Sequence, residues 1–357
     1  MPKVILSKIW HKIYYYCRLC RYLQGLIFKT KKVAAIRRTV RGLKGHVARK
    51  SHNALVVFDN KASPPTYGDL IYVILLARYL IARDGKVTFV LIQGEYRSDW
   101  APLGIPEREE FEREQYRVIK ALLKGGTVSV AKMTWDQFTI RKQEQVDKLL
   151  IFDRQVDKRQ PIYHYCFDAL NMLLSFESPG VIRKTLFSLT EERPRSLVAE
   201  NTAYVAFGVR YSAKWELHRN TTDSEFVCVV TLLAKLYPEC MIAIISDKNG
   251  CDHFRHLTPA NVPVIFSKDI SDDFLIDANL VVNAVHYVQL RGGGLSLFRI
   301  YSLSPYYISL TLANESKWSA TKLTPWQTVR QRFGDSSQSL QDIEIDLLAI
   351  GGENNAK

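Results

Sequence analysis

The first 58 residues of the chain contain no aspartate or glutamate, although they are rich in lysine and arginine. Residues 1–50 hold 14 basic residues, and the remaining 307 residues hold 35 basic and 36 acidic ones. The formal net charge of +13 therefore belongs to one segment and not to the rest of the chain. Domains that wrap nucleic acid usually spread positive charge over a folded face, so this distribution indicates a basic arm instead.

Long apolar runs and cysteines are also scarce. No stretch approaches the roughly 18 consecutive apolar residues that a membrane-spanning helix needs. Charges at Lys8, Lys12 and Arg18 interrupt the apolar N-terminal region, which excludes a secretory signal there. Six cysteines in 357 residues do not form a disulfide framework, which favours a reducing compartment. We therefore expect a cytoplasmic protein.

Residues 4–28 have the periodicity of an amphipathic helix. Apolar and aromatic side chains such as Trp10 share one broad arc, and cations such as Arg18 lie on the opposite face. This pattern is typical of helices that lie on a membrane surface, and the cations of residues 29–50 would add attraction to an anionic leaflet. Residues 1–51 are thus predicted to hold the protein on the inner face of the cytoplasmic membrane. The alternatives are a helix packed on the body of the same protein and, less in keeping with the charge distribution, a nucleic-acid contact.

From residue 54 onward, apolar strands alternate with helices. The run Ala54-Leu55-Val56-Val57-Phe58 suits a strand buried on both faces, Asp69 suits the N-cap of a helix over residues 70–82, and residues 87–92 suit the next strand. A second alternation begins near residue 202, with a strand over residues 203–209 and Asp223 as the N-cap of the next helix. Such alternation is typical of α/β folds with parallel sheets.

The two alternations predict two Rossmann-like domains that face an interdomain cleft. The predicted order is the basic arm, a first α/β domain, a second α/β domain and a helical tail, over residues 1–51, 52–190, 191–330 and 331–357. Ligands of such sheets bind beyond the carboxyl ends of the strands, so the loops that follow strands are the places to look for a site.

The clearest local signal is a glycine cluster before a predicted helix. Arg291-Gly292-Gly293-Gly294 is followed by Leu295-Ser296. Glycines let backbone amides approach an anion, the helix N-terminus carries partial positive charge, and arginine adds a bidentate contact, so the cluster predicts a phosphate site. A tight turn that needs positive φ is the alternative. The spacing matches neither a Walker loop nor a dinucleotide fingerprint.

Two further cations follow a predicted strand of the second domain. Arg210 ends the strand and Lys214 lies in the loop after it, where both suit the binding of phosphate. Surface ion pairs are the alternative for this loop.

Carboxylates follow strands in the first domain. Asp69, directly after Gly68, is the best-placed candidate for a general base, although a plain helix cap explains it equally well. Glu95 and Asp99 follow the second strand and suit contacts with sugar hydroxyls, or they only form the loop. No histidine, aspartate or glutamate cluster has the spacing of metal ligands, so neither a metal nor a cofactor is expected.

These motifs resemble the GT-B superfamily of glycosyltransferases over residues 54–330. Tyr67-Gly68-Asp69-Leu70-Ile71 resembles the Gly-Asp-hydrophobic step of heptosyltransferase-like enzymes, in which the aspartate can serve as base. Phe207-Gly208-Val209-Arg210 resembles the strand end at which fucosyltransferase-like members place an arginine on the donor pyrophosphate. Residues 291–305 are similar to the donor-side glycine turn and helix of the superfamily.

The resemblance implies a metal-independent glycosyltransferase of surface polysaccharide or glycolipid assembly. It implies a nucleotide-sugar donor in the second domain and a saccharide or lipid-linked acceptor in the first, with Tyr67, Gly68, Glu95 and Asp99 near the acceptor. Two other classes stay open: a non-catalytic nucleotide- or sugar-binding protein on the same fold, and a nucleic-acid binder that uses the basic arm.

Overall fold

The structure is a computed structural model. It describes residues 53–63, 67–83, 86–123, 128–143, 149–150, 203–212, 217, 220–290, 306–312 and 328–334. The chain divides into two compact units, Met1–Ser188 and Leu189–Lys357. The basic arm, the glycine cluster and Lys214 lie outside the described residues.

The first unit contains a parallel four-stranded sheet with the strand order β3-β2-β1-β4. Strands and helices alternate along the chain, as predicted, in the order β1 (Asn53–Asp59), α1 (Tyr67–Ile81), β2 (Lys86–Ile92), α2 (Ile105–Leu122), β3 (Val128–Met133), α3 (Trp135–Gln143) and β4 (Leu149–Leu150). β2 and β3 extend the sheet on one side of β1, and β4 pairs with the other side. The topological switch point therefore lies between β1 and β4, and we call β1 the switch-point strand of this sheet.

Helix α1 is buried along almost its whole length, because its sequence is apolar on every side. Every residue from position 69 to position 80 is buried, and a helix that is apolar all round has no face for solvent. The helix begins at Tyr67, so the prediction that Asp69 would be the N-cap is wrong: Asp69 lies in the first turn. The Tyr67 ring packs on Phe111 of α2, with 4.7 Å between centroids.

The second unit contains a parallel six-stranded sheet with the strand order β10-β9-β8-β5-β6-β7. Its elements are β5 (Tyr204–Gly208), α4 (Asp223–Leu236), β6 (Met241–Ile245), α5 (Lys248–Arg255), β7 (Val264–Phe266), α6 (Ser267–Ile270), α7 (Phe274–Asn283), β8 (His286–Leu290), β9 (Tyr306–Leu312) and β10 (Thr328–Gly334). β6 and β7 extend the sheet on one side of β5, and β8 pairs with its other side. The topological switch point therefore lies between β5 and β8, and β5 is the switch-point strand of this sheet.

Side-chain caps define where the helices of this unit begin. Thr222 caps α4: its hydroxyl accepts from the Glu225 amide at 3.3 Å, and the Glu225 carboxylate accepts from the Thr222 amide at 2.8 Å. The predicted cap Asp223 is therefore the first helical residue. Asp247 caps α5 by accepting from the Gly250 amide at 2.7 Å.

Two elements differ from the predicted pattern. Helix α5 is polar and short, so it was not predicted. Strand β10 crosses position 330 into the segment for which a helical tail was predicted, since Val329 and Phe333 suit a strand.

Candidate functional site

A buried carboxyl group lies just after the switch-point strand of the first unit. The side chain of Asp69 is only 6% exposed, and the Ser63 hydroxyl donates a hydrogen bond to Asp69 Oδ2 at 3.1 Å. Burial raises the pKa of Asp69 from 3.8 to about 6, while the hydrogen bond from Ser63 and the charge of Arg97 act to lower it. The carboxyl thus combines burial with a pKa close to neutral pH, which suits a general base.

The turn that carries Ser63 is itself fixed by backbone bonds. The amides of Ala62 and Ser63 both donate to the Asp59 carbonyl, at 3.0 and 3.1 Å, directly after β1. The buried indole of Trp100 donates from Nε1 to the Ser63 carbonyl at 2.7 Å. The backbone of Ser63 is therefore fixed through both its amide and its carbonyl group, which positions its hydroxyl to donate to the Asp69 carboxylate.

A buried polar network joins this turn to helix α2 and to the loop after β2. Asn60 Nδ2 donates to Glu112 Oε1 at 3.3 Å and to Gln115 Oε1 at 3.0 Å, and Gln115 Nε2 donates back to Asn60 Oδ1 at 3.2 Å. The Gly94 amide donates to Glu112 Oε1 at 3.1 Å. Gly94 has a φ of 83°, a backbone conformation that favours glycine. Such a satisfied network holds the loops after β1 and β2 in one arrangement.

The structure brings most of the predicted acceptor residues to this edge of the sheet. Tyr67 and Gly68 open helix α1, and the half-exposed Glu95 lies 3.9 Å from Lys61 Nζ in an ion pair between the two loops. The Arg97 amide donates to the Asn60 carbonyl at 3.1 Å, which brings the same two loops together. Asp99 lies in the 3₁₀ turn Ser98–Trp100.

In the second unit, Arg210 lies two residues after the end of the switch-point strand β5. Its amide donates to Thr221 Oγ1 at 3.1 Å, and its carbonyl accepts from the Thr221 amide at 2.8 Å. These two bonds fix the backbone of Arg210 at the start of the loop. The first residue of the predicted glycine cluster comes directly after β8, which ends at Leu290 and pairs with β5.

Gly208 permits close packing just before Arg210. A Cβ atom at this position would lie 2.6 Å from the Tyr287 hydroxyl and 3.3 Å from two carbons of its ring. The same hydroxyl donates to Gln289 Oε1 at 2.6 Å on strand β8. The glycine therefore lets the side chains of β8 lie across β5 where the two strands end.

Charges of alternating sign line the carboxyl ends of β5, β6 and β7. Burial raises the pKa of Asp247 at the end of β6, while the Gly250 amide and the charges of Lys268 and Arg210 oppose this rise. Lys268, which follows β7, donates from Nζ to Asp277 Oδ2 at 2.7 Å, and both side chains are buried. Arg210 and Lys268 thus both lie at the edge where ligands of parallel sheets bind, and the charge of the buried Lys268 is paired with Asp277.

Several of these residues were not found from the sequence. Ser63, Asn60 and Arg97 lie in loops, where no spacing identifies a partner. Asp247 carries a signal that was missed, because an aspartate shortly after an apolar strand is a residue type that caps helices.

The described part of the chain contains neither a metal-binding cluster nor a membrane-spanning helix. In the residues that the structure describes, no group of three or more His, Cys, Asp or Glu side chains could hold a metal ion. Within those same ranges, the helices are too short or too polar to span a bilayer.

The ionisation of Asp69 predicts a pH-dependent difference in stability. Because the pKa is raised in the native state, the native state binds the proton more tightly than the unfolded state does. The stability of the wild type relative to Asp69→Asn is then highest below about pH 4 and falls as the pH rises through about 6. The shift from 3.8 to about 6 corresponds to a loss of about 3 kcal/mol in the stability of the wild type relative to the variant, on going from below pH 4 to above pH 7.

Chemical denaturation of both proteins between pH 4 and pH 8 measures this difference. Asp136→Asn is the matched control, since Asp136 is also a first-turn aspartate but is exposed. A difference between wild type and Asp69→Asn that does not change with pH would contradict the raised pKa.

Comparison with known proteins gives matches only among solved structures. No protein-family model matches the chain, and neither does any curated protein. A glycosyl transferase of family 9 from Veillonella parvula matches with a TM-score of 0.44 and 10% identity, over 85% of this chain and 97% of that one. The ADP-heptose lipopolysaccharide heptosyltransferase II of E. coli matches with a TM-score of 0.41 and 12% identity, over 85% of this chain and 100% of that one.

A third similar structure carries a different name. The putative UDP-N-acetylglucosamine 2-epimerase of Listeria monocytogenes matches with a TM-score of 0.42 and 10% identity, over 84% of this chain and 89% of that one.

Proposed function

We propose that the protein is a glycosyltransferase that moves a sugar from a nucleotide-sugar donor to a hydroxyl group of an acceptor. The observation that carries the proposal is the buried carboxyl of Asp69, which has a pKa of about 6 and lies beyond the switch-point strand of the first sheet. Such a carboxyl is mostly ionised at neutral pH and takes up a proton readily, as a general base must.

In the proposed reaction the acceptor oxygen forms a bond to the anomeric carbon of the donor sugar. The bond from that carbon to the phosphate oxygen breaks, and the nucleoside diphosphate leaves with the electron pair. Asp69 takes the proton of the acceptor hydroxyl, and Ser63 keeps the carboxylate oriented through its 3.1 Å hydrogen bond. Tyr67, Gly68, Glu95 and Asp99 would lie near the acceptor.

The leaving diphosphate gains negative charge, which cations at the edge of the second sheet would stabilise. Arg210 provides a planar, permanently charged donor group at the end of β5. Lys214 and the cluster Arg291, Gly292, Gly293, Gly294, Leu295 and Ser296 are proposed to add contacts to the same phosphates. We include no metal in this mechanism, so transfer is expected to continue in EDTA.

The acceptor is proposed to be a saccharide or a lipid-linked saccharide of surface polysaccharide or glycolipid assembly. The support comes from the basic, amphipathic segment of residues 1–51, which would hold the enzyme on the inner face of the cytoplasmic membrane, where lipid-linked acceptors lie. Nucleic acid is not expected as a partner.

Deletion of residues 1–51 is expected to release the protein from anionic liposomes while its affinity for nucleoside diphosphates is retained. The reason is that the excess positive charge lies in this segment, and the binding that it confers should weaken with salt. Co-sedimentation with phosphatidylglycerol vesicles measures this binding, and neutral vesicles are the control. Liposome binding that survives the deletion would contradict the role of the arm.

Mass spectrometry of reactions with a panel of nucleotide sugars and glycolipid or oligosaccharide acceptors tests the proposed function. We expect an acceptor whose mass rises by one sugar residue, with release of an equal amount of nucleoside diphosphate. A chain that binds nucleotide sugars without transfer would instead be a binding protein, and one that isomerises the donor sugar would be an epimerase. Either result would overturn the proposal.

A further inference from the structure

A stacked pair of aromatic rings lies beside Arg210 in the second unit. The rings of Tyr211 and His253 are 4.3 Å apart between centroids and inclined by 18°; we call them the Tyr211–His253 stack. Phe254, a buried core residue, meets both rings edge-on, with centroids 6.1 Å from Tyr211 and 4.9 Å from His253. The stack is therefore supported by the core on one edge.

Neighbouring residues hold both rings in place. His253 Nε2 lies 2.8 Å from Asp223 Oδ1, at the start of α4. On the other side, Tyr211 lies close to the first turn of α5, where a Cβ atom at Gly250 would come within 3.2 Å of Tyr211 Cβ and 2.1 Å of Ser246 Oγ. Only glycine leaves room at that position, so Gly250 lets the backbone of α5 approach Tyr211 closely.

The stack is fixed in place but not fully covered. Tyr211 is half-buried, and 33% of the His253 side chain is exposed. Both rings belong to the carboxyl edge of the sheet, because Tyr211 follows Arg210 directly and His253 lies on the helix that Asp247 caps after β6. Arg210, the residue before Tyr211, belongs to the same edge, because its charge acts on the carboxyl of Asp247. This is the edge where ligands of such sheets bind.

We infer that the Tyr211–His253 stack binds the base of a nucleoside diphosphate whose phosphates lie on Arg210. Every nucleobase has a flat aromatic face, and stacking on protein side chains contributes to binding without requiring a particular base. A ligand with a planar ring at one end and a diphosphate at the other fits an aromatic pair whose tyrosine comes directly after an arginine. This inference rests on the proposed donor site and adds the part of that site that would recognise the nucleoside.

The same unit offers a matched control. Tyr237 and His286 also stack, with centroids 4.5 Å apart and an inclination of 30°. Tyr237 follows the end of α4 and His286 begins β8, so this second pair lies at the opposite, amino-terminal edge of the sheet. It has the same chemistry as the Tyr211–His253 stack, but it does not lie at the ligand-binding edge.

Isothermal titration of the full chain with ADP, UDP, GDP and pyrophosphate tests the inference. We expect Tyr211→Leu to weaken the binding of the preferred nucleoside diphosphate about 10- to 100-fold and to leave pyrophosphate binding unchanged. Tyr211→Phe, which keeps the ring, and Tyr237→Leu, which removes a ring at the opposite edge, should both bind as the wild type does. The unchanged pyrophosphate affinity also shows that the variant is folded.

Three results would overturn the inference, and they are distinguishable. Wild-type affinity in Tyr211→Leu, or an equal loss for pyrophosphate, would remove the base-binding role and leave the donor site in place. A wild type that binds neither pyrophosphate nor any nucleoside diphosphate would overturn the donor site itself.

If Tyr211→Leu does not fold, His253→Gln removes the other ring, and we expect it to lower nucleoside diphosphate affinity at least several-fold while pyrophosphate binding is kept.

Discussion

Asp69→Asn is expected to lower the turnover of glycosyl transfer by at least ~100-fold while donor binding is retained. The amide is the same size as the carboxyl and can accept the Ser63 hydrogen bond, but it cannot take a proton from the acceptor hydroxyl. Because Asp69 is buried and has a pKa of about 6, the wild-type rate should also fall about tenfold per pH unit below that value. Initial rates of nucleoside diphosphate release across pH 4.5–8.5 measure both effects.

Asp136→Asn is again the control, and it should transfer sugar at the wild-type rate, because Asp136 is exposed on α3. If Asp69→Asn keeps turnover within a few-fold of wild type, Asp69 has only a structural role. Glu95 and Asp99, which follow β2, would then be the next carboxylates to substitute.

Arg210→Ala is expected to weaken binding of a nucleoside diphosphate about 10- to 100-fold and to leave binding of the free nucleoside unchanged. A charge-assisted contact between an arginine and a phosphate contributes about 1.5–3 kcal/mol, which corresponds to this range. Arg210→Lys should recover part of the affinity, since it restores the charge but not the bidentate geometry. Isothermal titration with the diphosphate and the nucleoside separates the two parts of the ligand.

Arg255→Ala provides the matched control in the same unit. Arg255 lies at the end of α5 and pairs with Asp269, and both side chains are well exposed, so its removal should not change nucleotide affinity. An equal loss of diphosphate and nucleoside binding in Arg210→Ala would place Arg210 elsewhere than on the phosphates. Together with Tyr211→Leu, this variant distinguishes the phosphate contact from the base contact.

The alternation of strands and helices was largely predictable because it is encoded locally. An uninterrupted apolar run such as residues 54–58 predicts a strand that is buried on both faces, and helix α1 has apolar residues on all sides. Helix starts were less predictable, since Asp69 and Asp223 are both residue types that cap helices but both lie inside the first turn. For α4 the reason is the residue before Asp223, because Thr222 forms the capping box with Glu225.

The sequence by itself determined the α/β alternation, the separation of charge between residues 1–50 and the rest, and the candidates Asp69 and Arg210. These features depend on composition and on the spacing of apolar and polar residues that are neighbours in the chain. Only the tertiary structure decided that Asp69 is buried, hydrogen-bonded to Ser63 and close to the charge of Arg97, and that Tyr211 stacks on His253. The pKa of a carboxyl depends on desolvation and on charges brought close by folding. The aromatic stack depends on a loop and a helix that meet at the edge of the sheet. Both the pKa of Asp69 and the Tyr211–His253 stack arise from residues that are distant in the chain, so no local sequence pattern predicts them.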